Sequence, residues 1–81
     1  MNYLYQQIVN EVIKKLRSFY KSTNEYPTYC YLGEKEFGCL ICDPRIKFEE
    51  DVLFGIFVWT YNKRKIYTYR VNAINHINFS N

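Results

Sequence analysis

The sequence predicts an α+β domain: an N-terminal amphipathic helix packed on a small antiparallel sheet, with a short second helix, in the order α-β-α-β-β. Three observations predict it. Across residues 2–21, apolar side chains recur at spacings of three and four, the period of one helix face. Residues 52–61 are the most apolar run in the chain and carry no charge; their β-branched and aromatic side chains suit a packed, pleated strand. After Asn62-Lys63-Arg64-Lys65, a polar turn, residues 66–71 alternate in character and return as the second strand of a hairpin.

In the first helix, Leu4, Ile8, Val12, Leu16 and Phe19 form the apolar stripe, widened by Tyr5, Val9, Ile13 and Tyr20. Gln6, Gln7, Asn10, Lys14, Arg17 and Lys21 form the polar face, with the basic residues toward the C-terminal end, where the helix dipole favours them. Ser22-Thr23-Asn24-Glu25 breaks the pattern and Tyr26-Pro27 imposes an extended entry. Residues 28–32 then read as a short strand, ended by Gly33 where the chain turns and a side chain would clash. Glu34-Lys35-Glu36 opens the second helix with acids at its positive end. Phe37, Leu40 and Ile41 are its apolar face, and Asp43-Pro44 stops it. Residues 45–51 are a charged connector with a possible strand start at Ile46-Lys47-Phe48.

Residues 52–61 are apolar on both alternating faces, so this strand is expected to be covered on both sides. The strand after it looks half-exposed, with Tyr67, Tyr69 and Val71 on one face and Ile66, Thr68 and Arg70 on the other. The tail, residues 72–81, adds an edge strand, docks loosely or frays. Leu4, Ile8, Val12, Leu16, Phe37, Leu40, Phe54, Ile56, Val58 and Trp59 are the expected core.

The 81 residues make one domain, 1–81. A chain this short buries only about 60% of its unfolded surface, which an apolar content of 48% and an aromatic content of 20% help to offset. Nine tyrosines exceed what so small a core holds, so several are expected at a wet or binding surface. The net charge of +3 is segregated: +2 over residues 1–33, −3 over 34–51 and +4 over 52–81. Together with the surplus tyrosines and the two-faced strand, this pattern favours a homodimer. Three cysteines are an odd number, and the chain opens without a leader pattern; reduced thiols and a cytoplasmic location are expected. The apolar run is half the ~20 residues that span a bilayer, so no membrane partner is expected.

A helix, then Pro27-Thr28-x-x-Tyr31-Leu32-Gly33-x-x-Glu36-Phe37-x-x-Leu40, then Phe54-Gly55 and a β-hairpin resembles small proteins of phages and mobile elements in low-GC bacteria. The likeness covers most of the chain and departs at Gly38 and Cys39, where the pattern usually has polar helix formers. It implies the same α-β-α-β-β order and, because some such proteins are suspected of blocking host defence, a location in the host cell's cytoplasm and an inhibitory role.

No constellation predicts catalysis. With glycines only at 33, 38 and 55 there is no phosphate-cradling loop, and Ser18, Ser22 and Ser80 lack a nucleophile-elbow context. Cys39-Leu40-Ile41-Cys42, with Cys30 and His76, has the residue types of a zinc site but only one close-spaced pair. The pair also sits near the end of its helix, the wrong pole for an activated thiol. The cysteines are therefore read as structural, and no metal or cofactor is expected. Glu49-Glu50-Asp51 reads as a solvated loop, since three neighbouring acids on an extended chain cannot all face one ion.

The expected function is a non-catalytic protein-interaction module, a phage-encoded inhibitor of a host factor. Tyr67, Tyr69 and Arg70 on the half-exposed strand, with Arg64 at the turn, are its expected contacts. The alternative is a nucleic-acid or nucleotide binder using Lys14, Arg17, Lys21, Lys63, Arg64 and Lys65.

Overall fold

The computed structural model describes residues 3–51 and 56–81. Helix α1 (Tyr3–Thr23) is followed by β1 (Tyr29–Gly33), α2 (Glu34–Ile41), β2 (Phe48–Asp51), β3 (Ile56–Tyr61), β4 (Arg64–Val71) and β5 (Ile77–Ser80). The class and the two helices are as the sequence predicts. Five strands form one sheet in the order β2-β3-β4-β1-β5. Two of them go beyond the expected hairpin and first strand: the charged connector supplies β2, and the tail pairs as the edge strand β5.

The sheet is mixed rather than antiparallel. Strands β2, β3 and β4 form an antiparallel meander, and β5 runs antiparallel to β1, but β1 and β4 pair in parallel. Between β1 and β4 lie a helix and two strands, and such a non-local pairing leaves no turn signature. The β3–β4 connection is a two-residue turn in which Asn62 and Lys63 both take positive φ, 52° and 66°, as the twist of a tight hairpin requires. Insertion of this hairpin beside β1 makes β4 the central strand, whereas the apolar run supplies β3, one place from the edge.

Both helices pack on one face. Helix α1 packs on α2 and β5, and α2 packs on β1 and β4. Val9, Val12 and Leu16 of α1 are fully buried against Leu40 and Phe37 of α2 and against Cys30, Leu32, Trp59, Ile66 and Phe79 of the sheet. The buried seam of α1 runs through Val9, Val12 and Leu16, so the expected stripe is rotated slightly and Ile8 is half-buried. Ile41, expected on the apolar face of α2, is exposed. Of the other expected core positions, Phe54 and the side chains of Leu4 and Ile56 lie outside the described residues. At its end α1 passes into Asn24, whose φ of 60° is a left-handed cap, and the Asn24 N–H donates to the Tyr20 carbonyl at 2.7 Å.

Gly33 joins β1 to α2 with φ −62° and ψ 167°, a conformation open to any residue. Space is what demands glycine there: a Cβ would lie 2.6 Å from the Ala73 carbonyl oxygen and 2.6 Å from Glu36 Oε1. Glu36, in the first turn of α2, is only 3% exposed, and its Oε1 has no hydrogen-bond partner. The acid stands in the first turn, as the sequence predicts, and is buried beside Gly33, where the Ala73 carbonyl also approaches.

Candidate binding surfaces

Alternation along the strands fixes what each sheet face carries. Cys30 and Leu32 of β1, Ile66 and Thr68 of β4 and Trp59 of β3 lie beneath the helices. Tyr29 and Tyr31 of β1, Tyr67 and Tyr69 of β4 and Val58 of β3 therefore lie on the opposite face, against which no helix packs among the described residues. Within β3, the described part of the apolar run, the helices thus lie on the Trp59 face alone. Val58 is still only 8% exposed, and it sits directly opposite Tyr67 in the ladder.

The four tyrosines form a contact chain. Tyr31 and Tyr69, direct partners in the parallel ladder, stack with centroids 5.5 Å apart and planes 19° from parallel. Tyr29 contacts both Tyr67 and Tyr69 at 6.3 Å. Tyr67 keeps 37% of its surface exposed and the other three are partly exposed. The rings pack on one another while keeping part of their surface in solvent.

This arrangement splits the expected contact set. Tyr67 and Tyr69 come together, joined by Tyr29 and Tyr31, which alternation puts on one face of β1 and which the parallel register sets beside β4. Arg70 shares the parity of Ile66 and Thr68 and so belongs to the other face, and Arg64 stands in register with Tyr61 at the hairpin end.

The basic set is divided too. Lys14, Arg17 and Lys21 line one groove of about 670 Å³ between α1 and the end of β3, together with Asn10, Ile13, Ser18, Tyr20, Tyr26, Arg45 and Tyr61. Lys63 in the hairpin turn and Arg64, which opens β4 opposite Tyr61, lie outside that lining, and Lys65 pairs in register with Thr60 on the tyrosine face. Arg17 Nε donates to the Tyr61 hydroxyl at 3.1 Å, Tyr20 stacks on Tyr26 at 4.3 Å, and Asn62 Nδ2 donates to the Tyr26 hydroxyl at 2.6 Å. Nothing local in the sequence marks Tyr26, Arg45 and Tyr61 as neighbours of the helix; the sheet brings them there.

The cysteines do not converge. Cys30 is buried in the sheet, Cys39 is half-buried on α2 and Cys42 is exposed just beyond it. Among the described residues, no group of three or more histidine, cysteine, aspartate or glutamate side chains is placed to hold a metal ion. Burial pushes the Cys30 thiol up to about 12, against a smaller opposing effect of its hydrogen bond with Thr68. Burial and the nearby Glu36 carboxylate also raise Cys39. Both shifts work against a nucleophilic thiolate at neutral pH. Among the described residues, no helix is long and apolar enough to cross a membrane.

No family model matches the chain, and neither a curated protein nor a solved structure matches it.

Proposed function

We propose that the protein is a non-catalytic interaction module that engages a partner protein through its open tyrosine face. The observation that carries this reading is the chain of ring contacts from Tyr31 through Tyr69 and Tyr29 to Tyr67, on the side of the sheet against which no helix packs among the described residues. A sheet in a domain this small is normally hydrophobic on the face it buries and polar on the face it wets. Here the wet face carries four aromatic rings, the side chains that dominate interface hot spots because they bring large area at low entropic cost. Half-buried rings already packed on one another also lose little freedom when a partner covers them.

In the form that the resemblance to phage and mobile-element proteins implies, the partner is a host factor and the effect is inhibition by occupying its surface. The test starts with capture from nuclease-treated host lysate, followed by titration of the purified captured protein. Tyr67→Ala and Tyr69→Ala are each expected to weaken binding by ~30-fold or more, the scale of a hot spot, while the circular-dichroism spectrum stays that of the wild type. Unchanged affinity in both variants refutes the reading. Recovery of only a second copy of this chain, with dimerisation in sedimentation equilibrium lost in the same variants, reassigns the face to a homodimer.

A further inference from the structure

The groove between α1 and the end of β3 is a second surface, independent of the tyrosine face, and its chemistry is different. Lys14, Arg17 and Lys21 stand three and four residues apart, so they share one side of the helix. Like charges at this spacing repel one another, a cost that a bound anion would relieve. No aspartate or glutamate lines the groove, and among the described residues no carboxylate lies within ion-pair distance of these three side chains. The fourth cation, Arg45, is already held by Asp43. Beside the cations stands an aromatic wall, formed by Tyr20 of the same helix with Tyr26 of the loop that follows it and Tyr61 of β3. Tyr20, 38% exposed, is backed by Tyr26 at 4.3 Å, and Tyr26 is backed by Tyr61 at 6.1 Å. Tyr26 and Tyr61 are fixed by their hydrogen bonds with Asn62 and Arg17, so the wall is preorganised.

We infer that this groove binds a nucleoside phosphate, with phosphate groups along Lys14, Arg17 and Lys21 and the base against Tyr20. Unpaired cations beside a supported ring match an anion joined to a flat π-system, and they match neither half alone as well. Arg17 bridges the two halves, because its guanidinium contacts Tyr61 while it shares the helix face of the lysines. The same chemistry is offered by a free nucleotide and by a single-stranded nucleic acid. A groove of about 670 Å³ accommodates one nucleotide. As an open groove it also leaves room for a strand to continue.

Fluorescence anisotropy with a labelled single-stranded 12-mer, competed by AMP, ATP and heparin, tests the inference. The strand is expected to bind with a log-log salt slope near −2, the value for three phosphate contacts on single strands. Arg17→Ala is expected to reduce that slope by about 0.7. Tyr20→Ala is expected to weaken binding by about ten-fold with the slope unchanged. Competition by ATP at concentrations where the strand is displaced stoichiometrically identifies a mononucleotide site; displacement by unlabelled strand alone identifies a strand site. Tyr67→Ala and Tyr69→Ala leave all of these values unchanged, so loss of the tyrosine-face reading does not touch this one. Absence of binding to strand and nucleotide at 50 mM salt overturns the inference. So does a Tyr20→Ala variant as tight as wild type with heparin the strongest competitor, because the groove then reads charge only.

Discussion

The indole Nε1–H of Trp59 donates to Thr68 Oγ1 at 2.6 Å in the interior of the sheet, where both side chains are essentially inaccessible to water. Thr68 is also hydrogen-bonded with Cys30, its direct neighbour across the parallel ladder. One hydroxyl thus satisfies the only polar atom of the largest buried side chain and links β3, β4 and β1 side by side. Threonine suits the position twice, since its branched shape fits a strand and its oxygen accepts from the indole.

Replacing this hydroxyl by a methyl group isolates the hydrogen bond from the packing. Thr68→Val keeps shape and strand preference but leaves the Trp59 N–H buried without an acceptor. It is expected to cost about 1–3 kcal/mol in urea unfolding, whereas Thr68→Ser retains the bond and loses one methyl group, about 1 kcal/mol. A valine variant as stable as wild type would show that the indole finds another acceptor.

Two glycines should respond to alanine with opposite signs. At Gly33 the added Cβ meets the Ala73 carbonyl, a backbone atom that cannot swing aside, as well as the Glu36 carboxylate, each at 2.6 Å. Gly33→Ala is expected to destabilise by about 1–3 kcal/mol, the usual cost of overpacking. At Gly38, inside α2, a Cβ meets nothing within 4 Å. Gly38→Ala is expected to stabilise by about 0.5–1 kcal/mol, because alanine loses less backbone entropy in a helix. Thermal unfolding of the two variants checks both signs in one experiment.

What the sequence reveals follows the range of the interactions involved. Periodicity carries α1 and α2, and the Asn62-Lys63 turn carries the β3–β4 hairpin, because those signals are local. The parallel pairing of β1 with β4 is settled by packing across a helix and two strands, and no spacing in residues 28–33 or 64–71 encodes it. The same non-local step decides the sites. Tyr67 and Tyr69 were legible as a half-exposed pair from alternation alone, but their partners Tyr29 and Tyr31 join them only through the parallel register. Lys14, Arg17 and Lys21 are legible as a basic helix face, while the approach of Tyr26 and Tyr61 to Tyr20 beside them depends on where the loop after α1 and the hairpin dock. Arg70 was grouped with the tyrosines by nearness in sequence, and strand parity separates it from them.

The three thiols should react in a fixed order. Cys42 is exposed, Cys39 is half-buried with its thiol raised, and Cys30 is inaccessible with its thiol pushed up to about 12. Maleimide labelling at pH 7.5, followed by mass spectrometry, is expected to modify Cys42 first, Cys39 more slowly and Cys30 only after denaturation. Because the folded state holds the Cys30 proton more tightly than an unfolded chain, whose thiol titrates near ~8.5, the linked stability is fully present below that pH. It is lost as the pH rises from there toward 12. Cys30→Ala should flatten this alkaline slope, and early labelling of Cys30 in the native protein would contradict its place beneath the helices.

Asp43 gives the opposite pH dependence. Its carboxylate, 2% exposed, stops α2 by accepting the Arg45 backbone N–H at 2.8 Å and the Arg45 side chain through Nε at 3.0 and 3.1 Å and Nη2 at 2.6 Å. The Arg45 side-chain hydrogen bonds hold its carboxyl below the usual aspartate range, outweighing the effect of burial. A lowered folded value means that the stabilisation is present above the unfolded aspartate pKa of ~3.9 and is lost as the pH falls through the folded value. Asp43→Asn is therefore expected to cost about 1–2 kcal/mol at pH 7, a figure reduced because the Arg45 guanidinium is 62% exposed and screened by solvent. Urea unfolding from pH 7 down to pH 2 should show the gap between wild type and variant close in the acid range. A gap that stays constant would show that the shape of residue 43, and not its charge, secures the turn after α2.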